Sequence, residues 1–337
     1  MKIIFFEVPE AEQSIFAQSF RDADVSFFEE KLTEDNAEKA KDADVVSVFV
    51  GSVISKNVIA AMPNLKFIAT RSTGFDHIDC ESALIRGIQI SNVPAYGSYT
   101  VAEFTFGLIL NLSRKIINAN NYIKESPDFN FFSKMEGFDL RGKTLGIIGT
   151  GKIGKNVVKI AKGFAMNVIA YDLHPDMSFA QENNFIYKNF PEVLSQSDIL
   201  TLHTPYNKEN HHLINKENVS ALKRGMYLIN TARGELVDTD ALIFGLKEGI
   251  IAGAGLDVLE GERELKEEVE ILASSEKSER VKDYKTLLED RMLIEMPNVI
   301  ITPHIAFYSK EAVMEIIKTT VENVKGFLSN NPINLIK

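Results

Sequence analysis

Three residues that lie far apart in this sequence have side chains that could together bind an organic acid and move a proton. Arg233, Glu262 and His304 each follow a short apolar segment, where a buried parallel strand would end. The carboxyl ends of parallel strands meet at one edge of a sheet, and ligands bind there. A guanidinium grips a carboxylate, and an imidazole beside a carboxylate transfers protons. Taken alone, His304 could be a structural histidine after a proline, but the presence of Arg233 and Glu262 at other strand ends favours catalysis.

A glycine motif in the middle of the chain indicates a nucleotide cofactor. Thr144–Ile148 has the pattern of a strand, and Gly149, Gly151 and Gly154 follow it in the spacing G-x-G-x-x-G before a helical segment. Such a loop lets a pyrophosphate approach the helix N-terminus. Asp172 ends the next predicted strand, where an acid accepts hydrogen bonds from ribose hydroxyls and repels a 2′-phosphate. The pattern predicts NAD in preference to NADP; the other interpretation is a structural glycine turn followed by a surface aspartate.

The alternation of apolar segments with helical patterns predicts an α/β fold with two doubly wound parallel-sheet domains. The rhythm runs through the first third of the chain, stops at one long helical pattern over residues 98–123, and restarts at residue 144. The predicted strands are 3–8, 25–28, 45–50, 67–70, 144–148, 167–171, 198–202, 226–230, 251–256 and 299–301.

The last helical pattern, over residues 309–328, has its apolar residues on one face. The first domain has few strands, and the second is complete without this helix, so we expect the helix to return to the first domain. The predicted domains are therefore 1–98 plus 305–337, the substrate domain, and 99–304, an inserted NAD-binding domain.

Length and composition restrict the classes of protein that fit. A chain of 337 residues is long enough for two domains, and a formal net charge of −10 argues against nucleic acid as a partner. The N-terminus has the pattern of a buried strand, and no apolar segment reaches membrane-spanning length. Cys80 is the only cysteine, which suits a reducing compartment. We expect a cytoplasmic protein that does not bind a membrane.

Two other groups of residues carry open interpretations. The charged segment 263–292 is either a helical excursion on the surface, which we favour, or a lip beside the active site. His77, Asp79 and Cys80 match no standard metal spacing, so we expect no metal there and assign Asp79 to a helix cap. His211 and His212 lie in a polar segment, where we expect them to be solvated.

The glycine loop, the three strand-end residues and their order resemble the D-isomer-specific 2-hydroxyacid dehydrogenases, and the D-lactate dehydrogenase branch most. The resemblance covers essentially the whole chain and implies a flavodoxin-like substrate domain and a Rossmann NAD domain. One departure is the length and charge of the segment between Glu262 and His304. The most specific segments are Arg71–Asp79, Asn92–Tyr96, Gly149–Gly154, Asn230–Asp238, Leu256–Glu262 and Thr302–Tyr308.

The resemblance implies a role for individual residues. Arg233 would bind the substrate carboxylate, His304 would be the acid/base, and Glu262 would be its carboxylate partner. The implied substrate contacts are Thr73, Gly74, Tyr96, Arg233, Phe307 and, with a core role as the alternative, Phe49. The implied NAD contacts are Gly149, Gly151, Lys152, Ile153, Gly154, Asp172, Thr204, Pro205, Asn210, Thr231, Ala232, Arg233 and Asp257, the last one holding the nicotinamide carboxamide.

The predicted function is the reversible NAD-dependent reduction of a small 2-oxo acid, with pyruvate and D-lactate as the first candidate pair. Alternatives are hydroxypyruvate, glyoxylate or a branched-chain 2-oxo acid as substrate, or an NAD(H)-sensing protein without turnover. The resemblance also implies a homodimer. The helical pattern over 98–123 and the aromatic segment that follows it are the candidate contact surfaces.

Overall fold

The structure is a computed structural model that describes residues 1–125, 135–262, 265 and 284–336. The chain divides into two compact units. Unit 1 comprises Met1–Tyr96 and Tyr308–Lys337, and unit 2 comprises Gly97–Phe307. The first boundary lies two residues from the predicted one and the second lies three residues away. Among the described residues, no helix combines the length and apolar character that a membrane crossing requires.

The elements follow the predicted alternation of strands and helices. The strands are β1 (Lys2–Phe5), β2 (Asp24–Phe27), β3 (Val45–Val48), β4 (Phe67–Thr70), β5 (Gln89–Ser91), β6 (Thr144–Ile148), β7 (Asn167–Tyr171), β8 (Ile186–Tyr187), β9 (Ile199–Leu202), β10 (Met226–Asn230), β11 (Ile251–Leu256) and β12 (Val299–Ile301). The described α-helices are α1 (Glu10–Ser19), α2 (Lys56–Ala60), α3 (Cys80–Ile85), α4 (Ser98–Arg114), α5 (Ile116–Glu125), α6 (Lys152–Gly163), α7 (Met177–Glu182), α8 (Phe190–Gln196), α9 (Thr239–Lys247), α10 (Tyr284–Glu295) and α11 (Lys310–Leu328).

Unit 1 is a parallel five-stranded sheet in the order β2-β1-β3-β4-β5, the flavodoxin-like order. Strands β3 and β4 are buried along their whole length, as strands covered on both faces must be. The C-terminal helix α11 completes this unit. Phe327 on α11 stacks on Phe67 of β4 with ring centroids 4.4 Å apart, and Val324 is fully buried in the same cluster.

Unit 2 is a parallel seven-stranded sheet in the order β12-β11-β10-β9-β6-β7-β8. Apolar residues of α4 and α6 cover one face, and those of α8 and α9 cover the other. The strand order reverses between β6 and β9, which defines the topological switch point where α/β sheets bind ligands. The predicted fold class, two doubly wound parallel sheets, is confirmed.

Some predicted elements were wrong in detail. The single helix predicted over 98–123 is two helices, because Lys115 adopts a left-handed conformation with φ 52° and ends α4. The short strands β5 and β8 were not predicted. The aromatic segment after α5, and the charged segment apart from Leu265 and the part within α10, lie outside the described residues.

Candidate active site

The Arg233 turn follows β10 and is held by its own backbone and by Asn230. The Asn230 side chain, which is 1% exposed, donates to the Arg233 carbonyl at 2.7 Å and accepts from the Ala232 N–H at 3.0 Å. The Arg233 guanidinium donates to the Ala232 carbonyl at 2.8 Å. Thr231 adds a hydroxyl contact of 3.1 Å with Thr105 of α4. These hydrogen bonds therefore hold the backbone of Arg233 at the carboxyl end of β10.

His304 and Glu262 form a hydrogen-bonded pair. His304 Nδ1 lies 3.1 and 3.2 Å from the two carboxylate oxygens of Glu262. The His304 side chain is 32% exposed and the Glu262 side chain 25%, so the pair is partly screened from water. The other ring nitrogen of His304, Nε2, does not face Glu262 and can serve a substrate. Because Nδ1 faces a carboxylate, that nitrogen carries a proton, and Nε2 is the nitrogen that can exchange one. This is an acid/base arrangement with an oriented ring.

His304 is in a strained conformation that its neighbours impose. Its φ is 56°, a left-handed value that is uncommon for a residue with a side chain. Asp257, 1% exposed, accepts hydrogen bonds from the Thr302 hydroxyl at 2.5 Å and from the N–H groups of Ile305 and Ala306 at 2.9 and 2.8 Å. Burial raises the pKa of Asp257, and these three donors oppose the rise. Asp257 thus shapes the turn that carries His304.

The three predicted catalytic residues follow three adjacent strands. Arg233 comes after β10, Glu262 after β11 and His304 after β12, and these strands are neighbours in the sheet. Gly234 permits a close approach, because a Cβ there would lie 2.1 Å from the carbonyl of Leu259. The arginine turn therefore packs directly on the turn that leads to Glu262. The structure brings together on one edge what the sequence predicted at separate strand ends.

The glycine loop lies at the switch point of unit 2. Gly149 has φ +92°, and a Cβ there would lie 2.7 Å from the carbonyl of His203, the residue that follows β9. A Cβ at Gly154 would lie 2.1 Å from the Gly149 carbonyl, so α6 packs close to β6. A Cβ at Gly151 would meet nothing within 4 Å. Gly149 and Gly154 thus permit close backbone contacts, and Gly151 leaves open space at the start of α6.

The N-terminus of α6 has the donors that a dinucleotide needs. Gly151 is its N-cap, and no described side chain caps the first turn, which includes Lys152 and Ile153. The N–H groups of a first helical turn and the helix dipole attract phosphate. His203 follows β9, and its backbone lies beside Gly149; the residue is 8% exposed, and the described residues provide no hydrogen-bond partner for its buried Nδ1. This cradle fits a dinucleotide pyrophosphate.

Asp172 follows β7 as predicted, and it also orders the glycine loop, which the sequence did not show. Its carboxylate accepts from the Thr150 N–H at 2.6 Å, from the Thr150 hydroxyl at 2.9 Å and from the His174 N–H at 2.8 Å. Burial alone would raise the pKa of Asp172, but the hydrogen bonds from His174 and Thr150 outweigh it and hold that pKa below its usual value. Asp172 is therefore an anion beside the loop.

The other predicted NAD contacts in unit 2 lie on the loops after β9 and β10. The Asn210 side chain donates to the Pro205 carbonyl at 2.7 Å and accepts from the Asn207 N–H at 2.7 Å. Thr204 begins the same loop, and its hydroxyl points to the Pro205 carbonyl at 3.4 Å. Thr231 and Ala232 belong to the arginine turn. Asn210 thus stiffens this loop, whatever else it contacts.

The predicted substrate contacts of unit 1 follow β3, β4 and β5. Thr73 donates its hydroxyl to the Val93 carbonyl at 2.8 Å, and the Ser72 hydroxyl donates to the Gly74 carbonyl at 2.6 Å. Within the described part of the chain, no acceptor faces the N–H groups of Thr73 and Gly74. Two adjacent N–H groups of this kind suit a carboxylate. Phe49 and Tyr96 are half-buried in unit 1, and Phe307 is half-buried at the end of unit 2.

The prediction that His212 is solvated was wrong. His212 Nε2 lies 2.5 Å from a Glu260 carboxylate oxygen, and the other oxygen accepts from the Thr239 hydroxyl at 2.8 Å. His211 stacks on His212 and is exposed. These two histidines and Glu260 form a group of possible metal ligands within 4.8 Å of one another. Their hydrogen bonds give the group a structural role in joining the loops after β9 and β11.

The sequence did not reveal one further residue that supports the site. Asp290 on α10 is fully buried and accepts from the Gly261 N–H at 3.0 Å, one residue before Glu262. The sequence has no signal for this residue, because its burial on a charged helix is visible only in the tertiary structure. Asp79, in contrast, caps α3 as predicted, accepting from the Ser82 N–H at 2.9 Å.

The geometry agrees with a known protein family. Residues 106–306 match the model of the D-isomer specific 2-hydroxyacid dehydrogenase, NAD binding domain, which covers more than half of the chain. The chain belongs to this family. The family prediction is confirmed, and the chain is an NAD-dependent oxidoreductase that acts on a CH–OH group.

Several characterised relatives of this dehydrogenase span most of its length. D-lactate dehydrogenase of Escherichia coli is 36% identical over 308 residues, covering 90% of this chain and 89% of that protein. An aromatic 2-oxoacid reductase of Clostridium sporogenes is 39% identical over 296 residues, covering 86% and 85%. The crystal structure of D-lactate dehydrogenase from Aquifex aeolicus with NAD and lactic acid has a TM-score of 0.87 and 36% identity, covering 98% and 96%. NAD is the cofactor of this dehydrogenase, as predicted.

Proposed function

We propose that this dehydrogenase reduces a small 2-oxo acid to the D-2-hydroxy acid in a reversible reaction, with pyruvate and D-lactate as the substrate pair. The observation that carries the proposal is the His304–Glu262 pair, 3.1 Å apart, at the same end of the sheet as the turn after β10 that carries Arg233. An anion binder next to an oriented proton donor suits a substrate with a carboxylate and an adjacent carbonyl.

Each of the three residues has a distinct task in the proposed reaction. Arg233 binds the substrate carboxylate through paired N–H groups and thereby orients the carbonyl. Bound NADH supplies the hydride. His304 as imidazolium donates the Nε2 proton to the carbonyl oxygen as negative charge develops there, and the Glu262 carboxylate stabilises the charged ring. In the reverse direction His304 accepts the hydroxyl proton.

The residues of unit 1 are proposed to complete substrate binding. The N–H groups of Thr73 and Gly74 and the Tyr96 hydroxyl would contact the substrate carboxylate. Phe49 and Phe307 are each proposed as a contact of the substrate side chain, and the size of either ring favours a small group such as methyl. These roles follow from residue type and from the place of each residue after its strand. Units 1 and 2 are accordingly proposed as substrate domain and NAD-binding domain.

The cofactor contacts are proposed residue by residue. Gly149, Gly151, Lys152, Ile153 and Gly154 would hold the pyrophosphate, which the open space at Gly151 supports. Asp172 would accept the ribose hydroxyls and discriminate against NADP. The remaining contacts would line the groove and the nicotinamide end: Thr204, Pro205, Asn210, Thr231, Ala232, Arg233 and Asp257.

A second substrate class has support from the relatives. The aromatic 2-oxoacid reductase of Clostridium sporogenes is slightly more identical to this chain than the Escherichia coli D-lactate dehydrogenase is, at 39% against 36%. A larger 2-oxo acid, aromatic or branched, is therefore the second candidate.

The substrate assignment can be tested by the loss of NADH absorbance with a panel of acids. The panel contains pyruvate, 2-oxobutyrate, hydroxypyruvate, glyoxylate, 2-oxoisocaproate and phenylpyruvate, and the reverse reaction is run with D- and L-lactate. We expect the highest kcat/KM with pyruvate and oxidation of D-lactate alone. A higher kcat/KM with phenylpyruvate would move the assignment to the second class. NADH binding without turnover of any acid would overturn the proposal and favour a sensor.

We also propose that the enzyme is a cytoplasmic homodimer. The described surface of α5 is suited to a contact, because none of its residues is buried and Ile116 and Ile117 are 51% and 41% exposed. Size-exclusion chromatography with light scattering tests this: an Ile116→Glu/Ile117→Glu variant should elute as a monomer. A parent chain that is monomeric at micromolar concentration would contradict the dimer.

A further inference from the structure

The switch point of the unit 1 sheet contains a side chain of the protein itself. The strand order β2-β1-β3-β4-β5 reverses between β1 and β3, and in open α/β sheets the crevice at such a reversal is the usual ligand site. Glu7 follows β1 and extends its side chain to the turn Phe49–Ser52 after β3. An internal carboxylate therefore takes the place in which an external anion could bind.

The Glu7 carboxylate makes four hydrogen bonds to that turn. One oxygen accepts from the Gly51 N–H at 2.8 Å. The other accepts from the Phe49 N–H at 2.9 Å, from the Ser52 N–H at 3.1 Å and from the Ser52 hydroxyl at 2.5 Å. Glycine at position 51 permits this contact, because a Cβ there would lie 2.4 Å from the carboxylate. A turn whose N–H groups converge in this way is an anion-binding concavity.

The backbone of Glu7 is held in a conformation that glutamate rarely adopts. Its φ is 57°, in the left-handed region. Arg71, which is 3% exposed, donates to the carbonyls of Phe6 and Glu7 at 2.7 and 2.8 Å and to the Ser47 hydroxyl at 3.1 Å. Strain of this kind persists where several contacts together over-determine the position. Arg71 thus fixes the main chain of Glu7, and the side chain fixes the next turn.

These contacts converge on Phe49. Its N–H is bound by Glu7, and the Arg71 guanidinium lies 6.0 Å from the centre of its ring. Phe49 follows β3 and is half-buried, so the sheet alone does not determine where its ring lies. Glu7, which follows β1, contacts its backbone, and Arg71, which follows β4, contacts its ring.

We propose that Glu7 is a positioning residue that determines substrate specificity by fixing Phe49. The inference rests on the proposed function, in which Phe49 contacts the substrate side chain. If the Phe49–Ser52 turn loses its carboxylate, it loses four hydrogen bonds, so Phe49 is held less tightly and larger substrate side chains are accepted. Catalysis by Arg233, Glu262 and His304 belongs to unit 2 and does not depend on this turn.

Two substitutions at Glu7 distinguish the effect of its carboxylate from the effect of its left-handed backbone. Glu7→Gln keeps the shape and one acceptor but loses the charge and places a donor against an N–H group. Glu7→Gly removes the side chain and is compatible with the left-handed φ, so it does not add backbone strain. Asp44→Asn is the matched control, because Asp44 precedes β3 and accepts the Lys2 N–H of β1 at 2.9 Å. Asp44 links the same two strands, β1 and β3, at their N-terminal ends.

The readout is the ratio of kcat/KM for 2-oxoisocaproate to kcat/KM for pyruvate. We expect this ratio to rise about 10-fold in Glu7→Gly and by less in Glu7→Gln, which is the scale at which a pocket discriminates between aliphatic groups. The change should lie mainly in KM. Asp44→Asn should leave the ratio unchanged even if its stability falls. An unchanged ratio in Glu7→Gly, with an active parent, overturns this inference and leaves the proposed function intact.

A second measurement does not depend on activity. The chain contains no tryptophan, so Phe49→Trp introduces a single tryptophan at this position, which can be excited without the tyrosines. We expect acrylamide to quench this tryptophan more strongly when Glu7→Gly is added, and not when Asp44→Asn is added. Equal quenching in all three proteins contradicts the positioning role. A parent chain without turnover would overturn the proposed function and the link to specificity, while this result still decides whether Glu7 holds the turn.

Discussion

The two sheets of this protein have switch points of the same kind that are filled differently. In unit 2 the crevice between β6 and β9 is made of glycine backbone and an uncapped helix start, and a Cβ at Gly151 would meet nothing within 4 Å. In unit 1 the crevice between β1 and β3 contains the Glu7 carboxylate, bonded to Phe49, Gly51 and Ser52. The first is suited to an external anion, and the second already contains an internal one.

The difference shows how one topology serves two purposes. Converging N–H groups attract an anion at both reversals of strand order. Where the anion is a ligand, the surrounding chain leaves space for it. Where the anion is a side chain, the crevice becomes a rigid support for the residues that follow the strands. We infer that unit 2 provides the chemistry and the cofactor site, and that unit 1 shapes the substrate pocket.

The largest expected effect comes from the proton donor of unit 2. His304→Gln removes the imidazole while keeping a polar side chain of similar size. We expect kcat for pyruvate reduction to fall about 10³-fold, within the range for loss of a general acid. NADH binding, followed by the cofactor's fluorescence, should be unchanged. A loss below 10-fold would mean that another group donates the proton.

The arginine after β10 should give the next largest effect. Arg233→Lys keeps the charge but loses the paired N–H groups, so kcat/KM should fall about 10²-fold. Arg224→Lys is the control in the same unit, because Arg224 donates to the Glu248 carbonyl and belongs to no proposed site. If the two lysine variants behave alike in steady-state assays, Arg233 does not bind the substrate carboxylate.

The buried histidine at the switch point of unit 2 should make its stability depend on pH. Burial lowers the pKa of His203 to about 3, from 6.5. The unfolded chain therefore takes up a proton first as the pH falls below 6.5, and stability is lost from there down to about pH 3. Between pH 6.5 and 5 the loss is about 2 kcal/mol. In urea unfolding, His203→Gln should reduce the pH dependence by that amount; an identical dependence would contradict it.

The carboxylate partner should change the pH profile more than the rate. Glu262→Gln keeps the hydrogen bond to the ring but removes the charge that stabilises imidazolium, the form that reduction requires. We expect the high-pH limb of kcat/KM for pyruvate reduction to move to lower pH, because the imidazolium loses its neighbouring anion. Steady-state rates between pH 5 and 9 measure it. A limb that does not move would assign Glu262 to ring orientation alone.

The sequence predicted the features that are encoded locally. Gly149, Gly151 and Gly154 are read within one turn, and Arg233, Glu262 and His304 are each recognised by the apolar strand that precedes them. Parallel topology then assembles them, because strand ends share an edge. The C-terminal helix was also assigned to unit 1, because the first domain had few strands and the second was complete without the helix, and Phe327 stacks on Phe67 accordingly.

The features that the sequence did not predict depend on distant contacts. Glu7 accepts hydrogen bonds from a turn more than 40 residues further along the chain. Asp290 accepts one from Gly261, although the charged pattern of its segment predicted a solvated excursion, with a lip beside the active site as the alternative. Lys115 ends α4 without a glycine or proline to indicate it. Strands β5 and β8 are three and two residues long, too short for a periodic pattern.

One crossed measurement tests most directly whether the two crevices have separate roles. NADH affinity and the 2-oxoisocaproate to pyruvate ratio are measured for Gly154→Ala, Glu7→Gly and Gly163→Ala. Gly163 lies at the end of α6 with open space around it, so it controls for alanine in this helix. We expect Gly154→Ala to weaken NADH binding without changing the ratio, Glu7→Gly to change the ratio without weakening NADH binding, and Gly163→Ala to change neither. A Glu7→Gly enzyme with weakened NADH binding and an unchanged ratio would contradict the account.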